Sequence, residues 1–594
     1  MVKIAATFFP QIKDLKRKLF IKAKNKIRRK IMKKRFFALL MVTVMTLAAC
    51  LGIGCGGGDA GVIKDGKTVN VKVASAGYGT TFVTALAEKF NAIYADDEGY
   101  KINVLPAQTD LGNTNLLQDI YSDSGVDVYW AGVNIVTALE GDYGECLLDL
   151  TDSVYSKPAI KFDGTEEDKT IAQKVKDASY DISELKSTVY LGSNASLKGH
   201  YFGIPTAVGS AGFAVNTKVL SDYDQEIPRT TNEMWEVVDA IMEKAADTRV
   251  FPFAYSISGN GYTAIPLRYW LAQYLGEEKW DTFWSMQDKD GNNLEKPYEV
   301  FEMDGVEQTL AEFFRMYDKN IGSDGSTMQD FISAQAQLMV GDAAFMATGS
   351  WMYNEEHVRY AEYMDDVTFI KIPVISALGV KLFGDDGFND DKCDQILSKI
   401  CEGVDENKEV ATIKAEAEAV AGKALSQEDV DAAICARGMV QDRTNSSWYL
   451  SSKVGDDVKE IAINFLRMCA SEDGARLMAE HTNETQFFAM NAFENSEEPW
   501  FRGTANMLFN KHVVIARAEP TGYRAALGVG DSTFPKLTYY PVNYILDKEL
   551  TVYNANTLVR EGDYSIFAAA AKDTQEVIYD SAKENFDTGI WKLA

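Results

Sequence analysis

Residues 68–130 read TVNVKVASAGYGTTFVTALAEKFNAIYADDEGYKINVLPAQTDLGNTNLLQDIYSDSGVDVYW, and this stretch decides the fold. Thr68–Ala76 alternates and is rich in valine, which predicts a strand; Gly77-Tyr78-Gly79 breaks it. Over Thr80–Tyr94, Phe82, Leu86, Phe90 and Ile93 fall on one face at helical spacing. Tyr100–Pro106 then predicts a second strand, Asn113–Tyr121 a second helix and Val126–Trp130 a third strand. Strand and helix in alternation give an α/β protein with a parallel sheet covered on both faces. Ligands of such sheets sit beyond the carboxyl ends of the strands, where Tyr78, Gln108 and Trp130 fall by position.

Outward from this unit, Gly199–Val215 (GHYFGIPTAVGSAGFAV) is short, apolar and glycine-punctuated, as expected of a strand pair or of a crossing between lobes. Thr230 and Glu233 have capping-box spacing, and Trp235, Val238, Met242 and Ala245 follow at helical intervals. Further helices are expected over 266–276, 305–319, 328–339, 457–469, 472–481 and 572–585, and strands over 343–348 and 367–375. Residues 380–445 differ, with acidic turns followed by Glu- and Ala-rich helical sequence. They read as a helical insertion, polar enough to be an appendage.

The 594 residues exceed one core and suffice for two lobes or more. Apolar residues at 46% and charged residues at 25% exclude a disordered, collagen-like or polytopic membrane chain. Residues 1–49 hold 14 Lys and Arg against one acid, Asp14, so the remainder carries 46 bases and 86 acids, near −40. A body that acidic is a poor partner for nucleic acid or for an anionic lipid surface. From Met32, MKKRFFALLMVTVMTLAAC has a basic start (Lys33, Lys34, Arg35), an apolar run over Phe36–Ala49 and small residues before Cys50, the layout of a secretory signal. Residues 1–49 are thus expected to be a signal peptide whose true start is either Met1 or Met32. Leu47-Ala48-Ala49-Cys50 resembles the bacterial lipobox, which implies a lipidated Cys50 and an extracytoplasmic protein anchored to the cell membrane. Residues 50–66 carry seven glycines, six of them within 52–61, and read as a slack tether. Seven cysteines imply no disulfide framework.

GHYFGIPTAVGSAGFAVNTKVL at 199–220, with PRTTNEMWEVVDAI at 228–241, resembles the extracellular solute-binding proteins of ABC importers. FISAQAQLMVGDAAFMATGSW at 331–351 is similar to that family's Phe…Gly-x-Ala-Ala-Met…Gly-x-Trp signature, and IAINFLRMCASEDGARLM at 461–478 to its Phe-Leu…Ser-x-Glu-Gly helix. The carbohydrate-binding branch, which includes maltose-binding protein, has the most similar pattern; Gly209 stands where that branch often has an acid. The resemblance implies a two-lobed periplasmic-binding-protein-like fold of type II, hinge-linked around a ligand cleft. Its interleaved layout would give lobe 1 as 67–206 plus 376–493, with 380–445 inserted there, and lobe 2 as 212–372 plus 494–594. It also implies capture of a solute, a sugar or oligosaccharide, by a monomer that delivers it to ABC permease subunits.

No enzyme signature accompanies this. Four histidines (200, 357, 481, 512) form no HExxH or zinc spacing, and there is no Walker loop and no GxSxG elbow. No metal or cofactor is expected. The positive signal is aromatic, with 9 Trp and 28 Tyr, several at strand ends or in glycine-rich loops. An indole or phenol covers the C–H face of a sugar while Asn, Gln or Asp bonds its rim. Tyr78, Gln108, Trp130, Asn260, Tyr262 and Trp351 are the ligand-binding candidates, with Trp448, Tyr539 and Tyr540 behind them. Trp235, Trp270 and Trp284 lie in helical patterns and read as core. Two alternatives stay open: a surface lipoprotein glycoside hydrolase, and the same fold binding a peptide, polyamine or other solute.

Overall fold

The computed structural model describes residues 61–591 except 75–77, 108–112, 133–134, 137–138, 140–144, 179–184, 186–187, 191–193, 256–260, 317–320, 323–328, 442–445, 517–522, 525–526 and 528–564. The N-terminal signal, Cys50 and nearly all of the tether lie outside these residues. Among those described, no helix is long and apolar enough to cross a membrane.

Thr68–Val73 (β1), Thr81–Glu98 (α1), Lys101–Val104 (β2), Asn113–Tyr121 (α2) and Val128–Ala131 (β3) form the alternating unit expected from sequence. β1 pairs in parallel with both β2 and β3. All six β1 residues are buried, Lys72 included, which pairs with Asp119 of α2 at 2.9 Å. Gly203–Pro205 (β4), far along the chain, and Ser447–Leu450 complete a five-stranded sheet.

Ala211–Asn216 (β5) opens a second sheet with Phe251–Phe253 (β6), Ala343–Gly349 (β7) and Val367–Ile370 (β8) in the order β8-β5-β7-β6; Ser447–Leu450 is then β9, and the first sheet runs β2-β1-β3-β9-β4. Side chains alternate across β5: Phe213 and Val215 join one core, Ala214 the other. Both faces of the second sheet are therefore covered, and its strands read as continuous apolar runs. The two-lobed periplasmic-binding-protein-like fold is what the chain adopts.

Helix entry follows the local chemistry. Over Thr231–Thr248 (α3), Glu233 N–H donates to Thr230 Oγ1 at 3.3 Å, and the Glu233 carboxylate takes the Arg229 N–H at 2.6 Å. The capping residues act as expected, one position further out for the return bond. Trp235, Trp270 and Trp284 are buried, as core residues should be.

One expectation is corrected. Helices Ser376–Phe383 (α4), Asp390–Asp405 (α5), Val410–Ala421 (α6) and Gln427–Gly438 (α7) were assigned to lobe 1, yet they pack on the second sheet's core. The α5 stripe Cys393, Ile396, Leu397, Ile400, Cys401 and Val404 is wholly buried there. Thr230 Oγ1 donates to Asp394 at 3.0 Å and Asn232 N–H to Ser376 Oγ at 2.8 Å, tying these helices to the start of α3. The chain thus returns to the first sheet after Val440 rather than near Pro373. The polar composition of 380–445 belongs to an outer face; its apolar stripe is a real core.

Among the described residues the chain passes between the sheets three times: over 206–210, between Gln441 and Ser446, and over 483–498, which joins Glu472–Thr482 (α8) to Pro499–Phe509 (α9). These crossings are bonded to one another. Val208 N–H donates to Thr485 O and Phe487 N–H to Thr206 O, each at 2.7 Å. Thr206 and Ser446 share a hydroxyl–hydroxyl bond of 2.8 Å.

Candidate functional site

The crossings place the end of β1 and residues 483–486 opposite the segment that follows β7. Tyr78, just past β1, donates its hydroxyl to Glu484 Oε1 at 2.8 Å. Its ring stands edge-on to Trp130, centroids 4.7 Å apart. Glu484 is 4% exposed, and its second oxygen has no hydrogen-bond partner among the described residues. Burial pushes the Glu484 carboxyl up to about 8, the Tyr78 hydroxyl opposing this and the charge of Glu355 adding to it. Burial likewise drives the Tyr78 hydroxyl well above its usual range, with Glu484 and Glu355 contributing.

From the second lobe, Gly349-Ser350-Trp351 closes β7. Trp351 is half-buried and donates Nε1–H to the Tyr262 hydroxyl at 2.7 Å, the rings lying 6.1 Å apart at 40°. The indole rests against Gly349, where a Cβ would come within 2.1–2.3 Å of three of its ring atoms. Only glycine leaves room for it. Ser350 bonds to Ser210 in the first crossing, N–H to O at 2.9 Å, so this corner is fixed to the hinge. Beyond it, Glu355 Oε2 accepts from Gln335 Nε2 at 2.6 Å. His357 Nε2 meets Asn483 Nδ2 at 3.2 Å, a link between the segment after β7 and the residues beside Glu484.

The structure therefore brings Tyr78, Tyr262 and Trp351 to one region with Glu355 and Glu484. Two expected site residues do not belong to it. Trp130 and Trp448 face each other directly in the β3–β9 pairing, and both are fully buried. They form a cross-strand row with Val73 and Ile204, under Phe82 of α1 and Phe465 of the helix Asp456–Cys469. Central strands covered on both faces leave no ring free to stack on a solute. Trp130 instead supports Tyr78 from below, its Nε1–H donated to Thr206 at 3.1 Å. Gln108, Asn260, Tyr539 and Tyr540 lie outside the described residues.

The residues that sequence reasoning missed are polar. Besides Glu484 Oε2, buried acceptors without a partner among the described residues include Gln335 Oε1, Glu356 Oε2 and Gln486 Oε1, on the segments that meet here. Glu356 is pushed up to about 7 by burial, with Arg359 opposing and Glu355 adding. No group of acids, histidines and cysteines suited to a metal ion occurs among the described residues. A half-buried indole in the same region as buried, unpartnered acceptors is suited to a molecule with one apolar face and several O–H or N–H groups.

A family model described as bacterial extracellular solute-binding protein matches residues 85–393. No curated protein matches the chain. Among solved structures, the fold is similar to one described in work on xylan utilization by the thermophilic bacterium Caldanaerobius polysaccharolyticus, at 12% identity over 86% of this chain and 100% of that one, with a TM-score of 0.50. It is also similar to a chitin oligosaccharide binding protein (13% identity, 86% and 99% covered, TM-score 0.47). A third such structure is the Thermus thermophilus maltotriose binding protein bound with maltotriose (12%, 86% and 100%, 0.47). At such identities the likeness is one of fold. The family match, however, spans more than half of the sequence and includes β5, β7 and the Gly349-Ser350-Trp351 corner. With that match, and with two lobes joined at that corner, the chain belongs to the bacterial extracellular solute-binding protein family.

Proposed function

We propose that this protein captures a sugar or oligosaccharide in the cleft between its lobes and delivers it to an ABC importer's permease, without breaking a bond. One observation carries the reading: Trp351, fixed against Gly349 and bonded to Tyr262, stands in the same region as Glu355 and Glu484. The indole would cover the C–H face of a sugar ring, the unpartnered acceptor Gln335 Oε1 would take a hydroxyl proton, and Glu484 Oε2, carrying the carboxyl proton, would donate to a sugar oxygen. Solved structures of similar fold include binding proteins for chitin oligosaccharide and maltotriose, which supports the same solute class. Closure follows from the geometry: a ligand touching Tyr78 on one lobe and Trp351 on the other favours the state in which both reach it.

The signal-like N-terminus supports an extracytoplasmic chain held to the cell membrane by lipid on Cys50. We take the binding unit to be a monomer. The glycoside-hydrolase reading draws on one feature of the site, a carboxyl held neutral, Glu484, beside a second acid, Glu355. Incubation with oligosaccharides decides between them. Stoichiometric binding with the sugar recovered intact supports capture, and release of shorter sugars supports hydrolysis.

A further inference from the structure

Away from the cleft, on the edge strand of the second sheet, β8 and the first turns of α9 border a cavity of about 540 Å3. Its lining includes Arg229, Lys371, Arg437 and Arg502 against a single carboxylate, Asp405. In a chain with a net charge of −27, a pocket with this excess of cations stands apart. We propose that this cavity binds a small free oxyanion of the phosphate class, a site separate from the solute cleft.

The charges do not cancel within the protein. Arg437 holds Asp405 in a two-pronged pair, Nε to Oδ1 at 2.9 Å and Nη2 to Oδ2 at 2.7 Å, which commits that carboxylate. Lys371 is 4% exposed; its ammonium has no hydrogen-bond partner among the described residues, and its carboxylate neighbour is the same Asp405, at 3.8 Å. Burial lowers the Lys371 amine to about 8, with Arg437 adding to that and Asp405 opposing it. Arg229 and Arg502 have no carboxylate within ion-pair distance among the described residues. Lys371 and Arg437 are the buried cations here, and the two share one carboxylate; an excess buried charge of this kind is unfavourable unless something balances it. An oxyanion in the cavity would supply the missing negative charge.

The walls are rigid. Gly503 packs so tightly on β8 that a Cβ there would lie 2.0 Å from Phe369 O, and this holds the neighbouring Arg502 at the cavity. The first turn of α9, with Pro499 in the lining, turns the positive end of its helix dipole the same way. A lipid phosphate is the poorer occupant, since the acidic body is repelled by an anionic surface.

Calorimetric titration of the purified protein with sodium phosphate, against sodium chloride at equal ionic strength, tests the site. Saturable binding at about 1 mM or tighter is expected, weakened at least about fivefold by Arg502→Gln and by Lys371→Met and unchanged by Trp351→Ala. Arg502 is exposed, so its variant folds, and Lys371→Met removes a buried ammonium while Asp405 keeps its two-pronged pair with Arg437, so the variant should melt no lower than the parent. Absence of saturable phosphate binding overturns the proposal, as does binding that neither variant weakens or that Trp351→Ala abolishes.

Discussion

The Trp351 indole donates its proton to the Tyr262 hydroxyl at 2.7 Å, and the residue is only half-buried. This bond holds the ring at a fixed angle without covering it, as an aromatic anchor requires. Trp351→Ala should weaken sugar binding by roughly thirtyfold or more, the ~2 kcal/mol typical of such an anchor. Trp130→Ala should act differently: its buried ring leaves a cavity, with stability falling by about 3–5 kcal/mol. Titration and ligand-free melting on the two variants separate the roles.

Gly349→Ala places a methyl where the Trp351 ring now lies. The indole must move, so affinity should drop about tenfold or more, while the strand itself loses about 1–3 kcal/mol from overpacking. Normal affinity in this variant would show that the ring position does not matter to binding.

Stability should rise as pH falls from 8 to 6. Glu484, Glu356 and Asp394 are pushed up to about 8, 7 and 6, chiefly by burial, so each binds its proton more tightly folded than unfolded. Their burial cost is fully present above these values and is relieved on acidification. The melting temperature should therefore increase across this window, and Glu484→Gln should flatten its upper part. A melting temperature that falls from pH 8 to pH 6 contradicts the assignment.

The α5 stripe makes 376–438 part of the second lobe's core. Leu397→Ala should cost about 2–5 kcal/mol of stability. Glu416→Lys, on the outer face beside Lys399 and Lys408, should leave sugar affinity within about threefold. A tenfold loss there would mean that these helices reach the cleft.

Cys50→Ser should leave the protein folded but release it from membranes, since the acidic body has no other hold on a lipid surface. Retention on membranes at both low and high salt contradicts the lipid anchor.

The βαβαβ unit was legible because its signals are local: the valines of β1, and Phe82, Leu86 and Phe90 on one face of α1, are buried as their spacing implies. Trp351 was legible through the glycine before it and the strand that ends there. Trp130 and Trp448 were misread because position near a strand end says nothing about pairing; only the β3–β9 register buries both rings. Glu355, Glu484 and Gln335 carried no local signal among 87 acids and many amides, and they meet only when the crossings fold. The α5 stripe was visible at helical spacing, but the surrounding acidic turns drew the reading toward an appendage.

The most direct measurement is calorimetric titration of the protein and of Trp351→Ala with maltotriose, raffinose, xylan-derived and chitin oligosaccharides, each sugar being analysed afterwards. Saturable binding of at least one, recovered intact and weakened roughly thirtyfold or more by the substitution, is the predicted result. Cleavage of the sugar, or saturable binding of peptides or polyamines with no binding of any sugar, would contradict it.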